Sequence, residues 1–315
     1  MSRLRKYFEG VRIKGRQIHV GTTGAVITID SVFLKDLFAV LKIFSYFKLR
    51  QFKQLFSRKP TLANLAFYPQ TPGPWFNIWQ VSRLGSLKTV PELTKADYIM
   101  AFEDSTYTEF DPSHLKDFGV PVININTQNI SKEHVADIFE EVFGYNLRID
   151  PLIYEGLAIQ KSDSNGTHDG IVISCPIKPS ELTEGQSYQR LVDSTFNGKT
   201  SEDLRVAYAL GTLALVYHKH KPLTDRFGTH YLSVDVLMAE DVFSADEITL
   251  IKTFCQKMQL DFGAIDVMRD KHDGRIYIVD VNKTCMPVLC LKLKTQIKSQ
   301  DKIAQALTAG LSRLS

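Results

Sequence analysis

The stretch from Leu260 to Pro287, LDFGAIDVMRDKHDGRIYIVDVNKTCMP, restricts the possible folds more than any other segment. It reads as two strands joined by a polar turn centred near Asp273-Gly274, with Asp266 on the first strand and Asp280 and Asn282 on the second. Side chains alternate along a strand, so Asp280 and Asn282 share a face, and the turn sets Asp266 roughly opposite Asp280. Two carboxylates and an amide oxygen on one face form a hard, oxygen-only donor set. Such a set suits Mg²⁺, which takes one or two carboxylates together with waters and substrate phosphates. A solvated hairpin with ordinary polar residues fits the same letters, because Asp-x-Asn is common. Other segments must decide.

A chain of 315 residues, 44% of them hydrophobic, has enough apolar surface for a substantial core and for two domains. Cys175, Cys255, Cys285 and Cys290 form no CxxC pair and have no histidines at zinc spacing, so they read as buried thiols of a reducing compartment. No apolar run approaches the roughly 20 residues needed to span a bilayer, and no signal-peptide pattern follows the basic amino terminus. The expected location is cytoplasmic. The net charge of +3 conceals an asymmetry: residues 1–60 hold 13 Lys/Arg against three acids, whereas the remainder is net −7. The basic excess is therefore local, and the main body has no nucleic-acid-binding surface in view.

Residues 1–60 read as a basic extension. Gln17 to Asp30 can form a short strand pair turned at Gly21–Gly24, and Val32 to Phe56 predicts an amphipathic helix carrying Lys35, Lys42, Lys48, Arg50 and Lys53. A helix of this kind can lie on an anionic membrane through residues 32–57 or dock a partner. Packing of its apolar face on the domain behind it is the reading we favour. Pro69–Pro74 marks a loop. The alternation of short strands (Ala96–Phe102, Val120–Asn126) and helix that follows predicts a small open α/β domain over residues 61–130. Ser131 is a candidate helix cap, and that helix stops at Gly144. After Pro151 the chain is strand-rich: Leu157–Gln160, Gly170–Cys175, Tyr188–Val192, Leu204–Leu210 and Leu213–His218. A helix over Asp246–Gln259, the hairpin, and a terminal helix over Ser299–Leu314 complete a second domain, 131–315.

Lys161 ends a strand and opens a loop of small and polar residues, a setting in which backbone amides and a lysine can approach phosphate, although an ordinary surface hairpin looks the same. The loop matches neither the Walker A pattern nor GxGxxG. On the next strand Asp203 and Arg205 share a face. Arg205 and Arg226 are suited to gripping carboxylate or phosphate with two prongs. His218 and His220 lack a convergent third ligand and read as exposed decoration.

In this order, the pieces resemble the ATP-grasp superfamily over about half of the chain, Asn126 to Pro287. They comprise Lys132 at a helix start, Phe143-Gly144-Tyr145, Lys161 with its small-residue loop, the strand Tyr188–Asp193, the pair Asp203 and Arg205, and the closing Asp266 … Asp280-x-Asn282. The hairpin, IDVM included, resembles that of D-alanine–D-alanine ligases; the Asp-x-Arg strand is similar to glutathione-synthetase and ribosomal-protein-glutamate-ligase relatives. The resemblance implies an ATP-grasp fold (α+β) of two antiparallel-sheet subdomains preceded by the small open α/β domain. It implies ATP and Mg²⁺ as cofactors. Lys132 and Lys161 would contact phosphates, the backbone of Gln189, Arg190 and Leu191 the adenine edge, and Asp193 the ribose. Asp266, Asp280 and Asn282 would hold one or two Mg²⁺ ions, while Arg205 and Arg226 would stabilise the transferred group.

The implied activity is ligation: a carboxylate activated as an acyl-phosphate for attack by an amine or another nucleophile, on small-molecule or peptide substrates. Three features depart from the family pattern. Asp280 stands where a glutamate is usual, Ala264 where D-alanine ligases carry an arginine, and Lys-Thr-Cys-Met-Pro follows Asn282. Single-metal binding, a different oxyanion donor such as Arg205, or loss of activity are the corresponding alternatives. Two rival functions stand beside the ligase, a phosphotransferase and a non-catalytic nucleotide-binding module docked through its amino-terminal helix.

Overall fold

The computed structural model describes residues 11–20, 26–55, 62–167, 169–226 and 231–314. The turn at Gly21–Gly24, His168 in the loop after Lys161, and residues 56–60 of the extension lie outside them. The chain forms two compact units, Met1–Gln128 with Lys283–Ser315, and Asn129–Asn282.

The first unit begins with a three-stranded antiparallel sheet of β1 (Val11–Lys14), β2 (Gln17–Val20) and β3 (Val26–Thr28). Helix α1 (Ser31–Leu55) follows, its first turn held by the Asp30 carboxylate, which accepts from the N–H groups of Val32 and Phe33 at 2.9 Å each. The expected packing of one face is present: Ile43 and Phe47 are buried. Then come β4 (Ala63–Pro69), α2 (Asn77–Leu84), β5 (Leu87–Thr89), β6 (Tyr98–Phe102) and β7 (Val122–Ile123). They build a parallel sheet in the order β5-β4-β6-β7, the small open α/β arrangement expected. Strands β4 and β6 are buried on both faces, with Ala66, Ile99 and Leu115 in the core on one side. Such strands read as continuous apolar runs without alternation; β6 (YIMAF) is such a run and is predicted, whereas Asn64 and Pro69 interrupt β4 (ANLAFYP), which is not.

The second unit opens with α3 (Lys132–Phe143), capped by Ser131, whose Oγ accepts from the His134 N–H, and closed by Gly144 in the left-handed region (φ 75°). Strands β8 (Gly156–Ser162), β9 (Ile171–Cys175) and β10 (Gln186–Arg190) form an antiparallel sheet ordered β10-β8-β9. The larger sheet joins β11 (Thr195–Phe196), β12 (Thr200–Ala209), β13 (Thr212–Pro222), β14 (Ser233–Leu237), β15 (Phe262–Arg269) and β16 (Ile276–Asn282) in the order β14-β13-β12-β15-β16, with β11 on β12. Leu210 and Gly211, both at positive φ, make the two-residue turn between β12 and β13. Strand β13 runs to Pro222, beyond the His218 end predicted. Helix α4 (Ala245–Lys257) covers one face, with Ile251, Phe254 and Cys255 in a core shared with Val206, Ile265 and Ile278. The fold class is thus α+β with two antiparallel sheets in this unit.

The last helix, α5 (Leu293–Leu311), belongs to the first unit rather than to a carboxyl-terminal domain. It lies along α2, where Gln300 Nε2 donates to Asn77 Oδ1 at 2.8 Å, and the Tyr98 hydroxyl donates to the Leu311 carbonyl at 3.2 Å. Its start precedes the predicted Ser299 because the buried residues of its first turns, Gln296, Ser299 and Gln300, are polar and mask the periodicity. The described residues of the extension, 11–20 and 26–55, cluster with this unit as well. Among the described residues no helix is long and apolar enough to cross a membrane.

Candidate functional site

Strands β15 and β16 pair antiparallel from Arg269–Ile276 as far as Ala264–Asn282, with one irregularity. Val267 faces Ile278, whereas Asp266 faces Asp280, so Val279 is an extra residue without an opposite number. Beyond this bulge Asp266, Asp280 and Asn282 come together. Asn282 Nδ2 lies 3.3 Å from Asp266 Oδ2 and 3.3 Å from Asp280 Oδ2. The close approach of the two strands requires Gly263: a Cβ there would stand 2.6 Å from the Asn282 carbonyl oxygen. The three oxygen-bearing side chains expected at the metal position therefore form one cluster.

Cations reach this cluster from three directions. Lys132, buried in the first turn of α3, places Nζ 2.8 Å from Asp280 Oδ1 and 3.3 Å from Asn165 Oδ1. The loop after β8 fixes that helix terminus, because Asp163 accepts from the Lys132 N–H through its carbonyl and from the Glu133 N–H through its carboxylate. Asn165, in the same loop, donates to the Val281 carbonyl at 3.0 Å and to Asn282 Oδ1 at 3.3 Å. From the end of β8, Lys161 Nζ donates to the carbonyl of the bulged Val279 at 3.3 Å. Burial, and then the neighbouring Lys132 charge, push the Lys161 ammonium down to about 8.

The third direction is the β12–β13 pair. Arg205 holds Asp266 bidentately, Nε to Oδ1 at 2.8 Å and Nη2 to Oδ2 at 2.7 Å. Lys219, opposite Asp203 in the ladder, is 2% exposed and bridges Asp203 Oδ2 at 2.8 Å and Asp266 Oδ1 at 3.4 Å. Lys221 lies 3.6 Å from Asp203 Oδ2. Burial works to raise Asp266, but the charges of Arg205 and Lys219 hold its carboxyl well below the usual range. Five cationic side chains thus surround three carboxylates, an excess of two positive charges. A bare divalent cation gains little from that field; a polyanion gains much.

Two carboxylates and an amide are the hard donors that Mg²⁺ prefers when it arrives with phosphate. Each Asp280 oxygen accepts one bond and keeps a second lone pair, whereas both Asp266 oxygens already accept two bonds, Oδ1 from Arg205 and Lys219 and Oδ2 from Arg205 and Asn282. A half-turn of the Asn282 amide brings its oxygen to the position from which Nδ2 addresses both carboxylates and frees a lone pair on Asp266 Oδ2, in exchange for the bond that Asn165 donates to Asn282 Oδ1. The donor set therefore fits the ion. Among the described residues, no group of three or more His, Cys, Asp or Glu side chains has the arrangement of a metal centre, so the amide of Asn282 is needed to complete one.

Other expected residues have different partners. The N–H groups of Arg190 and Leu191 donate to the carbonyls of Leu147 and Leu157 at 2.9 and 3.2 Å. The Arg190 side chain bonds the Tyr277 hydroxyl at 2.7 Å and lies over its ring. Gln189 is buried, and among the described residues its Nε2 has no hydrogen-bond partner. Asp193 is engaged by Lys271 at 2.7 Å, His272 at 3.2 Å and the Thr195 N–H at 3.0 Å. Burial opposes its ionisation, but those bonds and the Lys271 charge hold it well below the usual range. A ribose hydroxyl would have to compete with that lysine. Arg226 donates to the Val192 carbonyl at 3.4 Å, which ties it to the segment after β10.

Lys219, Lys221 and Asn165 join the site without having been expected there. The signal for the lysines lay in His218-Lys-His-Lys221: on a strand running to Pro222, alternation sends the histidines one way and the lysines the other. His218 accordingly meets Glu202 at 2.7 Å and stacks near His220, while Lys219 faces Asp203 and Asp266.

No protein-family profile matches the sequence, and no curated protein matches it. Solved structures do. A structure of the ATP-grasp ligase PsnB complexed with its minimal precursor, Mg and ADP superposes with a TM-score of 0.52 at 10% identity, over 79% of this chain and 98% of that one. A structure of the same ligase with the minimal precursor matches 62% of this chain and 66% of that one, just under two thirds, with a TM-score of 0.43 at 14% identity. The D-alanine–D-alanine ligase of Bacillus anthracis complexed with ATP gives a TM-score of 0.49 at 11% identity, over 80% and 98% of the two chains. At such identities the likeness is one of fold.

Proposed function

We propose that this chain, whose fold is the ATP-grasp fold, is an ATP- and Mg²⁺-dependent ligase that activates a carboxylate as an acyl-phosphate for attack by an amine or another nucleophile. The observation that carries the reading is the convergence of Lys132 and Lys161, from separate elements, on the hairpin bearing Asp266, Asp280 and Asn282. Phosphoryl transfer from a nucleotide is catalysed mainly by positioning and by neutralising charge, so it needs cations and carboxylates rather than a serine or cysteine nucleophile.

In this reading Lys132 and Lys161 bind phosphate oxygens, and Lys132 exchanges its bond to Asp280 for them. Asp266, Asp280 and Asn282 would hold Mg²⁺, which when bound neutralises β- and γ-phosphate charge. Arg205 is a two-sided group: Asp266 fixes its plane, and its remaining N–H donors can address the transferred phosphoryl group or the acyl-phosphate oxygen. The carboxylate substrate, peptide or small molecule, would attack the γ-phosphorus with ADP leaving, and the nucleophile would then displace phosphate from the acyl carbon.

A second reading, a nucleotide-binding module without transfer, has one observation in its favour: both oxygens of Asp266 are already bonded to Arg205, which weakens Asp266 as a metal ligand. The two separate in one experiment. Incubation with Mg·ATP and mixtures of peptide or amino-acid carboxylates and amines should give ADP release that depends on both substrates and is lost in Lys132→Met. Nucleotide binding with no turnover under any mixture would leave the module. No nucleotide binding at all would end both readings.

A further inference from the structure

Helix α1 has two apolar faces, and its own unit covers only one. At about 100° per residue, Val40, Ile43 and Phe47 fall on one side. Ile43 and Phe47 are 1% exposed there, and Phe47 meets Trp79 edge-on with ring centroids 5.4 Å apart. On the opposite side Leu34, Phe38, Leu41, Leu49 and Phe52 form a row with exposures between 52% and 64%. A surface helix of a globular protein places polar residues on that side. An apolar row rimmed by charge marks an interaction surface.

The rim is entirely basic. Lys35, Lys42 and Lys48 are exposed beside the row, and Lys42 Nζ stands 4.4 Å from the centroid of the Phe38 ring. Asp36, the one acid of the helix, is set about half a turn away from the row. The preceding sheet continues the character, with Arg12, Lys14 and Arg16 exposed around Ile13. Residues 1–60 carry a net charge of +10, whereas the rest of the chain is −7. A second copy of the chain would bring one such segment against another, so charge opposes self-association.

We infer that α1 docks this chain on an anionic lipid surface, lying in the plane of the interface. Leu34, Phe38, Leu41, Leu49 and Phe52 enter the boundary between headgroups and acyl chains, while Lys35, Lys42 and Lys48 extend their amines to lipid phosphates. Ile43 and Phe47 stay in the protein core, so docking needs no unfolding of the helix. The inference is independent of the ligase reading.

The test is sedimentation of the full chain with vesicles of phosphatidylcholine alone or with about 30% phosphatidylserine. Binding to the anionic vesicles should exceed binding to the neutral ones at least about tenfold and should fall as salt is raised. Each basic residue near such a surface is worth on the order of fivefold in partition, so Lys35→Gln/Lys42→Gln/Lys48→Gln should lower it roughly a hundredfold. Phe38→Ser/Phe52→Ser, at exposed positions, should abolish binding while leaving the thermal midpoint unchanged. Absence of binding to the anionic vesicles overturns the inference, as does equal binding to both kinds or wild-type binding by Phe38→Ser/Phe52→Ser. A dimer that dissolves in Phe38→Ser/Phe52→Ser, without vesicle capture, overturns it in favour of a self-interface.

Discussion

Asp266 faces Asp280 only because the ladder between their strands gains a residue at Val279. Register counted from Arg269–Ile276 would place Asp266 opposite Val279; the bulge moves it to Asp280 and leaves the Val279 carbonyl to Lys161. One irregularity thus aligns the two carboxylates and positions a lysine beside them.

The charge balance of the cluster leads to the first prediction. Mg²⁺ alone should bind weakly, because Arg205, Lys219 and Lys132 already occupy the carboxylates. A non-hydrolysable ATP analogue should bind with Mg²⁺ at least roughly tenfold more tightly than without it, equivalent to about 1.4 kcal/mol. Asp280→Asn should remove most of that difference. Isothermal titration of the three combinations measures it, and an Asp280→Asn protein with undiminished Mg²⁺ dependence would show the ion to be held elsewhere.

Lys161 supplies a pH dependence. With its ammonium pushed down to about 8, nucleotide affinity that uses this charge is complete below that value and declines as pH rises through it. Lys161→Met should weaken binding at pH 7 and flatten the profile, and Lys161→Arg should flatten it while keeping the charge. Stability has the opposite sign. An unfolded lysine titrates near 10.4, so between about 8 and 10.4 the unfolded chain binds more protons, and the contribution of this group to stability grows with pH across that window. Urea titrations of wild type and Lys161→Met at pH 7 and pH 9.5 would compare the two slopes.

The Arg205–Asp266 pair is mostly buried, with side-chain exposures of 19% and 11%. Removing one partner strands the other charge, so Arg205→Met and Asp266→Leu should each cost on the order of 3 kcal/mol. The double variant should cost clearly less than the two together, because it leaves no stranded ion between them. Additive losses in a denaturation cycle would mean that the pair is solvated and contributes little.

Much of the site was readable in the letters because its geometry is local. Asp280 and Asn282 share a face by strand alternation alone, and Ser131 announces the helix that presents Lys132. What escaped depends on partners distant in sequence. Lys219 counts only once β13 is known to pass His218 and to pair with β12 at Asp203. Asn165 is an undistinguished loop residue until the Asp163 cap pins its loop to α3. In the first unit Asn64 and Pro69 break the apolar run of β4, and α5 hides its first turns behind buried glutamines.

Residues 129–282 form an uninterrupted insertion, whereas the unit around them is split and takes its final helix from beyond it. On a ribosome the inserted unit is therefore complete in sequence while its host still lacks α5, leaving Asn77 without Gln300 and Tyr98 without the Leu311 carbonyl. Nascent chains halted soon after Asn282 would carry a finished hairpin on an unfinished host, and the core of that host closes only once α5 has emerged.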